Sequence, residues 1–94
     1  MINVWFQQGT VWDLQSLAAE GFRQVVKHAS EDIYVTSGRE GDHRADSLHF
    51  YGLAWDMRKC GYTKARILSI LPGGDAKWDV VEYSWGFHTE YDPK

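Results

Sequence analysis

Apolar residues recur every three or four positions through residues 11–29, and this spacing predicts an amphipathic helix. Thr10 is the predicted N-cap, with Asp13 in the first turn, where a carboxylate favours the helix dipole. Gly21 interrupts the pattern at a cost of about 1 kcal/mol relative to Ala, so we expect it to mark close packing against a neighbour. The apolar stripe consists of Val11, Leu14, Leu17, Ala18, Phe22, Val25, Val26 and Ala29.

Shorter patterns predict strands and a second helix in the rest of the chain. Residues 1–6 fit a short strand or an extended arm. A helix is predicted at 63–71, where a Pro-Gly-Gly segment ends it. This order predicts an α+β domain in which two helices pack on a small, mostly antiparallel sheet. Runs rich in β-branched and aromatic residues predict strands at 32–37, 53–57, 78–83 and 87–91, the last two as a hairpin around 84–86.

Length, charge and cysteine content narrow the function classes. A chain of 94 residues is expected to form a single domain over 1–94, and its net charge of −3 argues against a nucleic-acid partner. Cys60 is the sole cysteine, which excludes an internal disulfide. No apolar run approaches the roughly 20 residues that cross a bilayer, so we expect no membrane insertion. The N-terminus has no secretory pattern, so we expect synthesis in the cytoplasm and action on a cell wall only after release or delivery.

The stretch 47–56 carries the strongest candidate chemistry. It places His49 and Asp56 seven residues apart around two small residues, which let the backbone approach a ligand. Histidine nitrogen and carboxylate oxygen are common zinc ligands, and His88 is available as a third that leaves one position open. Metal-assisted hydrolysis is therefore a candidate function. Spacing alone leaves an alternative in which these are polar residues with ordinary protein partners and no metal.

Three segments resemble the M15 peptidase family, which contains zinc D-Ala-D-Ala carboxypeptidases and phage L-alanyl-D-glutamate endopeptidases. Residues 47–56 match every fixed position of the family signature S-x-H-x-x-G-x-A-x-D, and residues 36–39 and 88–93 match flanking segments. The resemblance extends over residues 10–93 and is to the minimal forms of phages and prophages. It implies the Hedgehog/DD-peptidase-like fold and hydrolysis of a bond in the peptidoglycan stem peptide. Whether that is carboxypeptidase or endopeptidase action stays open.

The resemblance also implies roles for individual residues. Arg39 would bind a substrate carboxylate or stabilise the oxyanion, and Ser47 would support the site by hydrogen bonding. His43, in the same polar loop, is a substrate contact, a support for a ligand or an ordinary loop residue. A water would take the fourth position on Zn²⁺, where its pKa falls toward about 7. Three residues would hold the Zn²⁺: His49, Asp56 and His88.

The general base of the family is not at its usual position. That position lies three residues before the third histidine and is occupied here by Trp85, which cannot accept a proton. Glu82 is predicted to replace it if the turn at 84–86 folds Glu82 toward the metal. Glu90 lies two residues from His88, on the same face of the strand, and is expected to support that ligand by a hydrogen bond.

Three hypotheses about function remain. The first is an active zinc peptidase with a displaced base. The second is a zinc-binding domain of peptidase ancestry that binds cell-wall peptide or a protein partner without cutting it. The third belongs to another class: a small interaction domain that binds a partner through exposed aromatics such as Trp5 and Trp12, with no metal.

Overall fold

A computed structural model describes residues 2–38 and 52–93 of the chain. It confirms the predicted α+β class, with two helices and a five-stranded, mostly antiparallel sheet. The elements follow in the order β1 (Val4–Phe6), α1 (Ser16–Lys27), β2 (Ile33–Ser37), β3 (Ala54–Arg58), α2 (Lys64–Ile70), a 3₁₀ turn (Gly74–Ala76), β4 (Trp78–Tyr83) and β5 (Gly86–Tyr91).

The strands lie side by side in the order β1-β2-β3-β5-β4. β1 runs parallel to β2, and each of the other neighbouring pairs is antiparallel. The N-terminal segment is therefore an edge strand rather than a free arm. β4 and β5 form the predicted hairpin, with Ser84 and Trp85 between their ends.

Helix α1 begins at Ser16, later than the apolar pattern predicts. Its N-cap is Gln15, whose side chain makes no capping bond, so the prediction of Thr10 as N-cap is wrong. Tertiary contacts hold the segment before the helix outside it. The backbone N–H of Gln15 donates to the Gly52 carbonyl at 2.9 Å, and the Trp12 ring lies between the rings of Phe6 and Phe22.

The core lies between the helices and one face of the sheet, which we call the helix face. Along the strands, Ile33, Val35, Trp55, Met57 and Trp78 point to this face and are buried against residues of both helices. Aromatic rings make a continuous series of contacts through this layer. The series runs Phe6, Trp12, Phe22, Trp55, Trp78 and Tyr91.

Side chains at the alternate positions define the opposite face, which we call the His88 face. Its polar members on β3 and β5 are Asp56, Arg58, His88 and Glu90, and the small Ala54 lies opposite Glu90. Tyr34 of β2 joins this face, because its ring lies under the Arg58 guanidinium. The sheet therefore separates an aromatic core on one side from polar chemistry on the other.

Candidate functional site

Strand pairing brings Asp56 and His88 together. The two residues are direct partners in the β3–β5 ladder, so their side chains project from the same face next to each other. Asp56 Oδ1 lies 2.8 Å from His88 Nδ1, although the residues are 32 positions apart in sequence. This contact joins two of the three predicted zinc ligands.

The second nitrogen of His88 also faces a carboxylate. His88 Nε2 lies 2.6 Å from Glu90 Oε1, as the i, i+2 spacing on one strand predicts. The three side chains are largely buried, with exposed fractions of 18% for His88 and Asp56 and 22% for Glu90. The imidazole ring is therefore fixed in orientation from both sides.

The surroundings of His88 set its charge. Burial by itself lowers the pKa of His88, and the hydrogen bonds with Asp56 and Glu90 more than offset it, so the pKa lies above its ordinary value. Both ring nitrogens donate when the ring is charged. In the absence of a metal, the two carboxylates thus favour the protonated ring more than water does.

The donor set of this site fits zinc. An imidazole nitrogen and a carboxylate oxygen 2.8 Å apart can both contact one ion, and both are ligand types that zinc takes. Nε2 would keep its proton and donate to Glu90, the outer hydrogen bond that commonly orients a metal-bound histidine. Asp56 and His88 would hold the ion, and Glu90 would hold the ring.

Four predicted site residues lie outside the described residues. They are Arg39, His43, Ser47 and His49. The roles predicted for these four residues, including that of His49 as a zinc ligand, therefore stay predictions.

Glu82 does not lie on the same face as His88. It pairs with Phe87 across the β4–β5 ladder, and Phe87 is fully buried in the core on the helix face. Glu82 forms an ion pair with Lys59, whose Nζ also lies 4.9 Å from the centre of the Phe87 ring. The turn reverses the chain but keeps the alternation of faces, so it does not fold Glu82 toward His88.

A group of carboxylates on this side of the sheet was not anticipated from sequence. Asp79 is the ladder partner of Glu90, and one oxygen each from Asp79, Glu90 and Asp92 lies within 4.8 Å of the others. These residues could hold a cation, but exposed acidic groups are common without one. Only the strand register brings Asp79 to Glu90, so no local motif marks the group.

A cavity of about 410 Å³ lies beside Asp56. Its walls come from three parts of the sheet: the end of β1, the end of β2, and β3 with the β4–β5 turn. Trp85, which occupies the family's base position, forms part of the wall and stacks on Tyr83 with ring centres 5.2 Å apart. The lining residues are Gln7, Thr36, Ser37, Asp56, Arg58 and Trp85.

Comparison of the chain with protein-family models, curated proteins and solved structures gives no match. Within residues 2–38 and 52–93, no helix is long and apolar enough to cross a membrane.

Proposed function

We propose that the chain is a zinc-dependent peptidase that hydrolyses a peptide bond of the peptidoglycan stem. The observation that carries the proposal is the 2.8 Å contact between Asp56 and His88, with Glu90 on the far side of the ring. It matches the zinc-ligand pair and the supporting carboxylate that the resemblance to M15 peptidases implies. The Hedgehog/DD-peptidase-like fold and the role of His49 as a zinc ligand are part of the same proposal.

The residues of the site have separate tasks in this proposal. Asp56 and His88 would hold Zn²⁺, which would supply an activated water and polarise the scissile carbonyl. Glu90 holds the His88 ring from the side opposite Nδ1, and Glu82 lies on the helix face, so Glu82 is no longer our candidate for the proton acceptor. The cavity beside Asp56 accommodates the substrate next to the metal.

A second candidate is a zinc-binding domain that holds the stem peptide without cutting it. Two observations favour it. Glu82 lies on the helix face with Lys59, and Trp85 stands at the usual base position without a group that accepts a proton. In this case the cavity and the metal serve recognition alone.

Metal analysis and a cleavage assay test both candidates. We expect the purified wild type to retain one Zn²⁺ per chain and His88→Ala to lose it, because the substitution removes a ligand. His28→Ala is the matched control, since His28 is exposed and follows the last residue of α1. Full zinc retention by His88→Ala would eliminate the site.

Incubation with purified muropeptides, followed by mass spectrometry, then separates the two functions. A new peptide fragment supports the peptidase. An intact substrate with fully loaded zinc supports the binding domain. Neither zinc nor cleavage in the wild type would leave the interaction domain without a metal.

A further inference from the structure

Among the described residues that line the cavity beside Asp56, the cationic side chain is that of Arg58. Arg58 lies two residues after Asp56 on β3, so both project from the His88 face. Two strand residues span about 7 Å. A peptide that binds Arg58 through one group can therefore place a peptide bond about two residues away, next to Asp56 and His88.

The guanidinium of Arg58 lies over the ring of Tyr34. Its Cζ lies 4.2 Å from the centre of the Tyr34 ring, which is a cation–π contact. A guanidinium carries five N–H donors, and the contact with the ring does not pair it with a carboxylate. The contact holds Arg58 beside the cavity, where its donors can bind a ligand.

Two other cations in the described part of the chain have carboxylate partners, whereas Arg58 does not. Arg23 pairs with Glu20, and Lys59 pairs with Glu82. Within residues 2–38 and 52–93 the interaction of Arg58 is the contact with Tyr34, and no carboxylate is paired with it. Asp56 lines the same cavity and contacts His88, and a guanidinium without a paired carboxylate is suited to bidentate binding of an external one.

The distribution of charge along the His88 face would orient a bound anionic ligand. Glu90, with Asp79 and Asp92 close to it, makes one end of the face acidic. Arg58 makes the other end basic, with Asp56 and His88 between the two ends. An anionic group is repelled from the acidic end and attracted to Arg58.

We propose that Arg58 is the specificity-determining residue of this cavity and binds a free carboxylate of the substrate peptide. Because two extended residues span about 7 Å, the carboxylate lies within two residues of the bond held at Asp56 and His88. The inference rests on the proposed function, because that function makes this bond the one that is cleaved. The carboxylate subsite itself is a binding property that can be measured without cleavage.

The test uses a synthetic stem pentapeptide with free carboxyl groups and the same peptide with each carboxyl group amidated in turn. Steady-state kinetics and titration calorimetry are measured for the wild type, Arg58→Gln, Arg58→Lys and the control Arg66→Gln. Arg66 is an exposed arginine of α2 outside the lining of the cavity. For the wild type and the control, we expect one amidation to lower kcat/KM or affinity about 10- to 100-fold, the scale of a charge-assisted pair.

Arg58→Gln should lose this preference and treat the free and amidated peptides alike. Arg58→Lys should recover part of it, because a lysine keeps the charge but loses the fork. If Arg58 has only a structural role, Arg58→Gln would lower the affinity or kcat/KM equally for the free and the amidated peptide. The ratio between the two peptides would then stay at the wild-type value, and this result would overturn the proposal.

The two proposals fail in different ways. If the wild type cleaves the peptides but Arg58→Gln keeps the preference, the subsite is wrong and the peptidase stands. If the wild type cleaves nothing but its affinity still depends on Arg58 and on one carboxylate, the subsite stands and the peptidase is wrong. A wild type that neither binds nor cleaves any of the peptides contradicts both.

Discussion

His88 is the central residue of the candidate site, because it contacts both Asp56 and Glu90. One imidazole contacts a carboxylate through each nitrogen, and the two contacts are not equivalent. Asp56 comes from a neighbouring strand and can share an ion with Nδ1, whereas Glu90 comes from the same strand and holds Nε2. In the proposed function, a zinc ion at Nδ1 would replace a proton there, and the bond with Glu90 would keep the ring in the same orientation.

The two glutamates near the hairpin should respond differently to the same substitution. We expect Glu90→Gln to lower turnover by about 10² or more if Glu90 accepts the proton. Glu82→Gln should leave turnover unchanged, because Glu82 is on the helix face with Lys59. Turnover of zinc-loaded variants on muropeptides, with metal content measured on the same samples, is the readout.

Metal content separates two roles for Glu90. If Glu90 only orients the ring, Glu90→Gln weakens zinc binding by about 10- to 100-fold and keeps turnover once zinc is restored. A loss of turnover in Glu82→Gln alone would contradict the assignment of the faces.

At the scale of elements, helix α1 is seated on the sheet through a glycine. A Cβ at Gly21 would lie 2.2 Å from Cη2 of Trp78, which is far inside contact distance. Trp78 is 1% exposed, and its indole N–H donates to the Pro72 carbonyl at 2.9 Å, so the ring has no free direction in which to move. The sequence expectation of close packing at Gly21 is confirmed.

Gly21→Ala should therefore destabilise the protein. Helix propensity favours Ala by about 1 kcal/mol, but overpacking a rigid core costs about 1 to 3 kcal/mol, and the short distance to Trp78 argues for the upper end. We expect a net loss of about 2 kcal/mol in the free energy of unfolding, measured by urea denaturation. Ser16→Ala, at the exposed start of the same helix, is the control and should stay within about 0.5 kcal/mol of wild type. Equal or greater stability of Gly21→Ala would show that α1 can shift on the sheet.

The edge strand β1 is attached to the sheet partly through Asp32. Asp32 accepts hydrogen bonds from the Asn3 backbone N–H at 3.0 Å and from the Trp5 indole at 3.1 Å. Chiefly the Asn3 bond, followed by the Trp5 bond, lowers the pKa of Asp32 below its ordinary value of 3.8. A lowered carboxyl pKa stabilises the folded state above the unfolded pKa, and that contribution is lost as pH falls through the folded pKa.

Asp32→Asn should reveal this pH dependence. At pH near neutrality we expect the wild type to have the higher melting temperature, because its charged carboxylate is the better acceptor. The difference between the two proteins should begin to shrink below pH 3.8 and disappear as pH falls through the lower pKa of the folded state, where the folded carboxyl becomes neutral. Thermal melts of both proteins from pH 7 to pH 2.5 measure it. A difference that is constant over this range would assign the effect to packing instead of charge.

At the scale of the whole molecule, the core residues and the candidate site residues lie on opposite faces of the sheet. The aromatic series and the buried aliphatic residues lie on the helix face, and the side chains that we propose to bind zinc and substrate lie on the His88 face. Substitutions at Glu90 or Arg58 therefore leave the aromatic core intact. This separation lets an effect on binding or turnover be distinguished from unfolding.

Much of the fold was predictable from local patterns. The strand Trp78–Tyr83 has the predicted bounds, and β2, β3, α2 and β5 differ from prediction by one residue at one or both ends. The start of α1 was not predictable, because its apolar pattern continues into a segment that tertiary contacts hold outside the helix. Val11 fits the helical spacing, yet its carbonyl oxygen would lie 2.3 Å from a Cβ at Gly38.

The sequence by itself determined the local facts of the site: the motif at 47–56, the alternation that puts His88 and Glu90 on one face, and the absence of an acid at Trp85. The tertiary structure alone decided which distant residues meet. The β3–β5 register pairs Asp56 with His88, and the β4–β5 register sends Glu82 to the opposite face. The physical reason is that strand register is a long-range property, and a shift of one residue moves every side chain to the other face.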